Sequence, residues 1–187
     1  MFLFFLFLPM KNLLFALLLT IVSAAVDAQP KATFVSDALS KWKGMKSYTL
    51  AVAQAMPEEK YLYKPTPDEM TFVHQLVHMA GNMYFLSAKL IRGIDPPVDI
   101  KALLEKADQN ITKKEAMEII SRAFDYTEET IAQMTEKKLE EELDYWGGHS
   151  TKRKIVFLLN DHQTHHRGQL IVYLRLNGVK PPSYIGW

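Results

Sequence analysis

The chain has 187 residues, no cysteine, and a formal charge of +1 from 22 Lys and Arg against 21 Asp and Glu. That balance gives no electrostatic reason to expect nucleic acid or an acidic membrane surface as a partner. The absence of thiols excludes a disulfide framework and leaves only nitrogen and oxygen ligands for any metal.

The first 28 residues read as a secretory signal peptide. Met1 to Pro9 is almost purely apolar, and Met10-Lys11-Asn12 restarts the pattern, so that Met10 is a second candidate start. Lys11 supplies positive charge, Leu13 to Val22 an apolar segment, and Val26 and Ala28 the small residues of a cleavage site before Gln29. An exported, periplasmic or secreted protein is the expectation, and an uncleaved leader anchoring the chain in a membrane is the alternative. Residues 29–187 then form a single domain.

Ser36-Asp37-Ala38-Leu39 opens a helix running to Gln54, before Pro57. Thr66-Pro67-Asp68-Glu69 has the pattern of a capping box and predicts the start of a second helix, with Phe72 to Ile91 as its body and Gly93 as its stop. Asp99 to Lys106 suits a short helical piece. Thr112-Lys113-Lys114-Glu115 is another capping box and opens a helix to about Met134. Asn110-Ile111-Thr112 also matches a glycosylation sequon, although Thr112 is explained by its cap. Glu136 to Asp144 reads as a solvated connector and Gly147-Gly148 as a break. Ser150 or Thr151 then starts the last helix, which runs to Leu176 before Asn177-Gly178. Four long helices and no strand signal make an all-α four-helix bundle the expected fold.

Five of the six histidines fall in two of these helices. His74 and His78 are one turn apart in the second, and His162 and His166 one turn apart in the last, with His165 beside them. Only His149 stands elsewhere. Bundles build metal sites from side chains on facing helices. Ala80, Gly81 and Gly168 are small enough to permit a close approach, and Leu76, Leu158, Leu159 and Val172 would dry the surroundings. Spacing does not choose among the five. At 100° per residue, His165 lies about 60° from His162 on one side and His166 about 40° on the other.

Asn160-Asp161-His162, His165-His166-Arg167-Gly168-Gln169-Leu170 and Tyr173-Leu174 resemble the last helix of the DinB family. Pro65-Thr66-Pro67 leading to His78-Met79-Ala80, and the tail Asn177-Gly178-Val179 with Pro181-Pro182, fit the same family. The resemblance covers about residues 35 to 184. It implies an up-down-down-up four-helix bundle, commonly dimeric, with a three-histidine site for a divalent metal. Carried over by motif, the ligands are His78, His162 and His166. His74 and His165 fall at positions the family does not reserve for ligands, and an export signal is a departure from most of its members.

Around those ligands, Asp161 and Asn82 are candidate acceptors for the far ring nitrogens. Gln169 and Tyr173 follow the histidines on one face, placed either to orient a water or substrate or to fill the core. Arg167 is expected at the surface or an interface, in an ion pair. Imidazole suits several divalent ions, zinc and nickel foremost here, with iron and manganese also compatible.

Three protein ligands leave one position open, as in catalytic zinc sites, where the pKa of bound water falls to about 7. The expected function is therefore a metal-dependent enzyme acting on a small molecule of unassigned identity, of hydrolase type. The resemblance adds thiol S-transferase as a second type, which export disfavours. A non-catalytic bundle, in which the ion staples two helices, is the alternative from another class.

Overall fold

The computed structural model describes residues 33–187 other than 108 and 110, and Phe34–Trp187 forms one compact unit. The leader and the sequon asparagine lie outside the described residues.

Helix α1 spans Phe34–Ala55 and buries Ala38, Trp42, Met45, Tyr48, Thr49, Val52 and Ala53, a stripe at three- and four-residue spacing. A 3₁₀ turn at Glu58–Lys60 follows, and then α2 at Phe72–Phe85. Its turns widen into a π-helical stretch, Leu86–Arg92, ended by Gly93 at φ 71° with its N–H on the Ala88 carbonyl. Helix α3 covers Ile100–Ala107, α4 Lys113–Ala132 and α5 Glu136–Leu139. A hairpin of β1 (Glu142–Tyr145) and β2 (Gly148–Thr151) leads into α6, Lys152–Leu176.

Side-chain pairings fix the direction of each long helix. Lys43 meets Glu128, Lys46 meets Asp125, and Lys113 donates to the Gln54 and Met56 carbonyls, so α1 and α4 are antiparallel. Tyr84 packs on Tyr126, Ser87 hydrogen-bonds Thr127 and Arg92 reaches Thr130, so α2 and α4 are parallel. Phe34 against Phe157 and Arg167 over Tyr48 make α1 and α6 parallel. The bundle is therefore up-down-down-up, with α2 and α6 antiparallel neighbours. Trp42, wholly buried, ties α1 to α4 by donating from its indole N–H to the Phe124 carbonyl at 3.0 Å. Among the described residues no helix is long and apolar enough to cross a membrane.

Two expectations of local structure are corrected. The second long helix starts at Thr71, not Thr66: the Thr71 hydroxyl accepts from the His74 N–H at 3.1 Å. Thr66 to Met70 stays in turns because Phe72 and Val73 donate back to the Tyr63 and Tyr61 carbonyls, folding the loop against the helix entry. The Thr112 box is present as expected, with both reciprocal bonds to Glu115 formed.

The second correction concerns Glu136 to Asp144, read as a solvated connector, and the expected absence of strands. Thr135 caps α5, Leu139 is fully buried, and Arg153 holds Glu136 at 2.9 Å and Glu140 at 2.5 Å. The strands then pair antiparallel from Glu142 opposite Thr151 to Tyr145 opposite Gly148. Gly148 takes φ 104°, a conformation open to glycine, so the glycine pair turns the chain rather than merely interrupting it.

Candidate metal centre

The antiparallel pairing of α2 and α6 brings together the second turn of one helix and the middle of the other. His78 and His162 are half-buried and His166 is buried. One ring nitrogen from each lies within 4.8 Å of the other two. His78 Nε2 and His162 Nε2 are 3.2 Å apart, and the ring centroids are separated by 5.0, 4.7 and 4.4 Å for the pairs 78–162, 78–166 and 162–166.

Burial is the main reason that all three favour the neutral, ligating form. It lowers the His166 pKa to about 3 and the His162 pKa to about 4, in each case with a further push from the neighbouring imidazoles. His78 is lowered for the same reason, assisted by His74. Two nitrogens at 3.2 Å cannot both present lone pairs to empty space between them, so a proton or a cation belongs there. Two zinc ligands at about 2.0–2.1 Å and a tetrahedral angle would be separated by about 3.4 Å. A neutral three-imidazole donor set with this spacing fits a divalent ion.

The five candidate histidines separate cleanly. His74 is half-buried and outside the group of three. His165 is exposed, and its Nε2 accepts from Gln169 Nε2 at 2.8 Å. His149 sits on the hairpin between Asp144 and Glu142.

The surroundings differ in several places from expectation. Neither glycine serves the α2–α6 approach: a Cβ on Gly81 would meet Ile100 of α3 at 3.2 Å, and Gly168 faces open space. Leu76 and Leu159 are fully buried and Leu158 partly so, but Val172 is exposed. Arg167 is not in a surface ion pair. It is 5 % exposed, its guanidinium lies 5.0 Å from the Tyr48 ring centre, and burial pulls its pKa below the usual value. Its position on α6 points at α1, and its aliphatic stem and planar head suit that aromatic wall.

Nor do the expected acceptors, Asp161 and Asn82, serve the imidazoles. Asn82 Oδ1 and His162 Nδ1 are buried without hydrogen-bond partners, and Asp161 is exposed. The side chain that holds one of the three imidazoles is Gln75, whose Oε1 accepts from His166 Nδ1. Gln75 Nε2 in turn lies 2.5 Å from Gln169 Oε1 and 3.4 Å from the Tyr173 hydroxyl. Sequence reasoning passed over Gln75, although an amide among Phe72, Val73, Leu76 and Val77 on a buried face was the available signal.

An open depression of about 470 Å³ on the α6 surface, lined by Leu158, Asp161, His162, Thr164 and His165, borders the cluster at His162. A second, of about 290 Å³, is lined by Pro65, Glu69, Gln169, Val172, Tyr173 and Leu176.

The chain is 27% identical to YjoA, an uncharacterized protein of Bacillus subtilis strain 168, over 146 residues, 75% of this chain and 88% of that protein. The crystal structure of the DinB-like YjoA from Bacillus subtilis aligns over 80% of this chain and 97% of its own with TM-score 0.62 and 23% identity. A DinB-like protein from Bacillus cereus ATCC 10987 aligns over 79% and 95% at 0.63 and 19%, and a conserved protein from Enterococcus faecalis over 78% and 97% at 0.63 and 15%. The DinB family model matches residues 30–186, and the chain belongs to that family.

Proposed function

We propose that the domain binds one divalent metal ion through His78, His162 and His166 and uses it as a small-molecule enzyme, of hydrolase type. The observation that carries the reading is convergence. A proton shared by His78 and His162 would account for their 3.2 Å separation, but not for a third buried imidazole nitrogen gathered to within 4.8 Å of both.

When bound, such an ion supplies Lewis acidity toward a water, a thiol or a substrate oxygen. The chain's own residues do the rest. Gln75 holds the His166 ring, while Leu76 and Leu159 exclude water from the inner side of the cluster. The cavity at His162 gives a small molecule access from the outer side, and Asp161 and Thr164 on its wall offer an acceptor and a hydroxyl for orienting it. Zinc and nickel are the ions proposed first. Thiol transfer is the second reaction type. Export through the leader places the enzyme outside the cytoplasm, where low-molecular-weight thiols are scarcer, and so favours hydrolysis.

A purely structural ion is the competing reading, and the cavity beside His162 argues against it. Elemental analysis of the purified domain tests the proposal: about one equivalent of metal is expected in the wild type and well under half in His78→Ala. Equal metal in both removes His78 from the site. Unfolding on removal of the metal would favour the structural reading.

A further inference from the structure

We infer that Gln75 and Tyr173 are positioning residues that fix His166 as the tautomer protonated on Nδ1, turning its Nε2 lone pair toward His78 and His162. The consequence for metal affinity rests on the metal-binding reading above, while the tautomer itself does not.

One atom at the outer end of this hydrogen-bond network has a role beyond choice. The Met70 backbone carbonyl is only an acceptor, and the Tyr173 hydroxyl lies 3.0 Å from it. The other oxygen near that hydroxyl, Glu69 Oε2 at 3.5 Å, is an acceptor too when ionised. Tyr173 therefore spends its proton on this side and has only lone pairs left for Gln75. The Gln75 atom 3.4 Å away must then be the amide nitrogen. Orienting the amide that way places the carbonyl oxygen against His166 Nδ1. A carbonyl oxygen beside an imidazole nitrogen requires an N–H on that nitrogen, so the neutral ring carries its lone pair on Nε2.

Shape alone does not distinguish the two ends of a glutamine amide, which is why the direction of the chain matters. Turning Gln75 over would set its oxygen against the lone pairs of Tyr173 and against Gln169 Oε1, which is 2.5 Å from Nε2 in the observed orientation. Gln169 in turn directs its own nitrogen to His165 at 2.8 Å. All three inner members are buried: Gln75 is 1 % exposed, Tyr173 3 % and His166 7 %. Nothing comparable holds His162, whose Nδ1 has no hydrogen-bond partner. His166 is thus the oriented ligand, and His162 is free to adjust its ring to whatever His166 and His78 define.

The test uses the full folded domain. Nitrogen-15 NMR of the metal-free wild type should show His166 protonated on Nδ1. Zinc titration against a chelating indicator should show Gln75→Leu weakened about 10–100-fold. Tyr173→Phe releases the amide to turn over and should add the Nε2-protonated form to the spectrum. A wild-type His166 protonated mainly on Nε2 overturns the inference, as does unchanged zinc affinity in Gln75→Leu. Should Gln75→Leu fail to fold, the wild-type spectrum still decides. A wild type that takes up neither zinc nor nickel removes the metal-binding reading alone, and the same spectrum then decides the tautomer.

Discussion

His78 and His162 aim their Nε2 atoms at one another across the α2–α6 interface, 3.2 Å apart although 84 residues separate them in the chain. Such a contact exists only in the finished fold. Because its members are kept neutral by burial, it ties the stability of the domain to protons.

The metal-free domain should lose stability on acidification. An unfolded histidine titrates near pH 6.5, whereas His162 and His166 in the fold titrate at about 4 and about 3. Between those limits the unfolded chain binds more protons, so the contribution of these residues is complete above about pH 6.5 and is lost as pH falls through the folded values. Urea midpoints from pH 7 to pH 4 should fall steeply in the wild type. The fall should be shallower when both residues are replaced by alanine, and parallel slopes would refute the assignment.

His149 should behave in the opposite sense. Its Nδ1 lies 2.9 Å from Asp144 and its Nε2 3.4 Å from Glu142, and these carboxylates raise its pKa, the Asp144 hydrogen bond first. A raised folded pKa gives stabilisation that is full below the unfolded value and vanishes as pH rises through the folded one. NMR titration of His149 should give a midpoint above 6.5, and Asp144→Asn should bring it down.

The two candidate starts of α2 can be told apart by substitution. Thr71→Ala removes the side chain that accepts from His74 and should cost about 1 kcal/mol. Thr66→Ala should change stability by well under about 0.5 kcal/mol, as befits a turn residue outside a cap. Chemical denaturation of the two variants reads the difference directly.

Arg167 offers a fourth test. Its guanidinium is buried against Tyr48 with Nη1 lacking a hydrogen-bond partner, so its charge gains little. Arg167→Met should retain stability to within about 1.5 kcal/mol, since an apolar stem of similar length fills the same space. Arg167→Ala leaves a void and should cost about 2–4 kcal/mol. Both should keep wild-type metal content.

These expectations reflect what periodicity and capping reveal in a sequence. The Thr112 box, a start at Ser150 or Thr151 and the turn spacing of His162 and His166 were legible because each is a local rule acting over three or four residues. The hairpin was not: Leu143 and Tyr145 alternate too briefly to stand out, and its pairing depends on Ser150 and Gly148 across the turn. Gln75 was passed over and Arg167 misjudged for another reason. Polarity suggests solvent, and only the packed neighbours, Tyr173 and Tyr48, reveal that these polar heads are enclosed. The choice of His78 over His74 came from family resemblance; the structure places a His78 ring nitrogen near those of His162 and His166, a proximity that spacing could not supply.

The widened turns at Leu86–Arg92 lie downstream of both Gln75 and His78 on α2. A π turn accommodates one more residue than an α turn, as if an insertion had been absorbed without breaking the rod. Whatever rotational phase error the helix must correct to meet Thr127 and Thr130 is taken up after Phe85, where Gln75 and His78 do not feel it. A single-residue deletion there would re-clock Arg92 and the loop beyond while leaving the imidazole cluster in register. The same deletion between Gln75 and His78 would dismantle it.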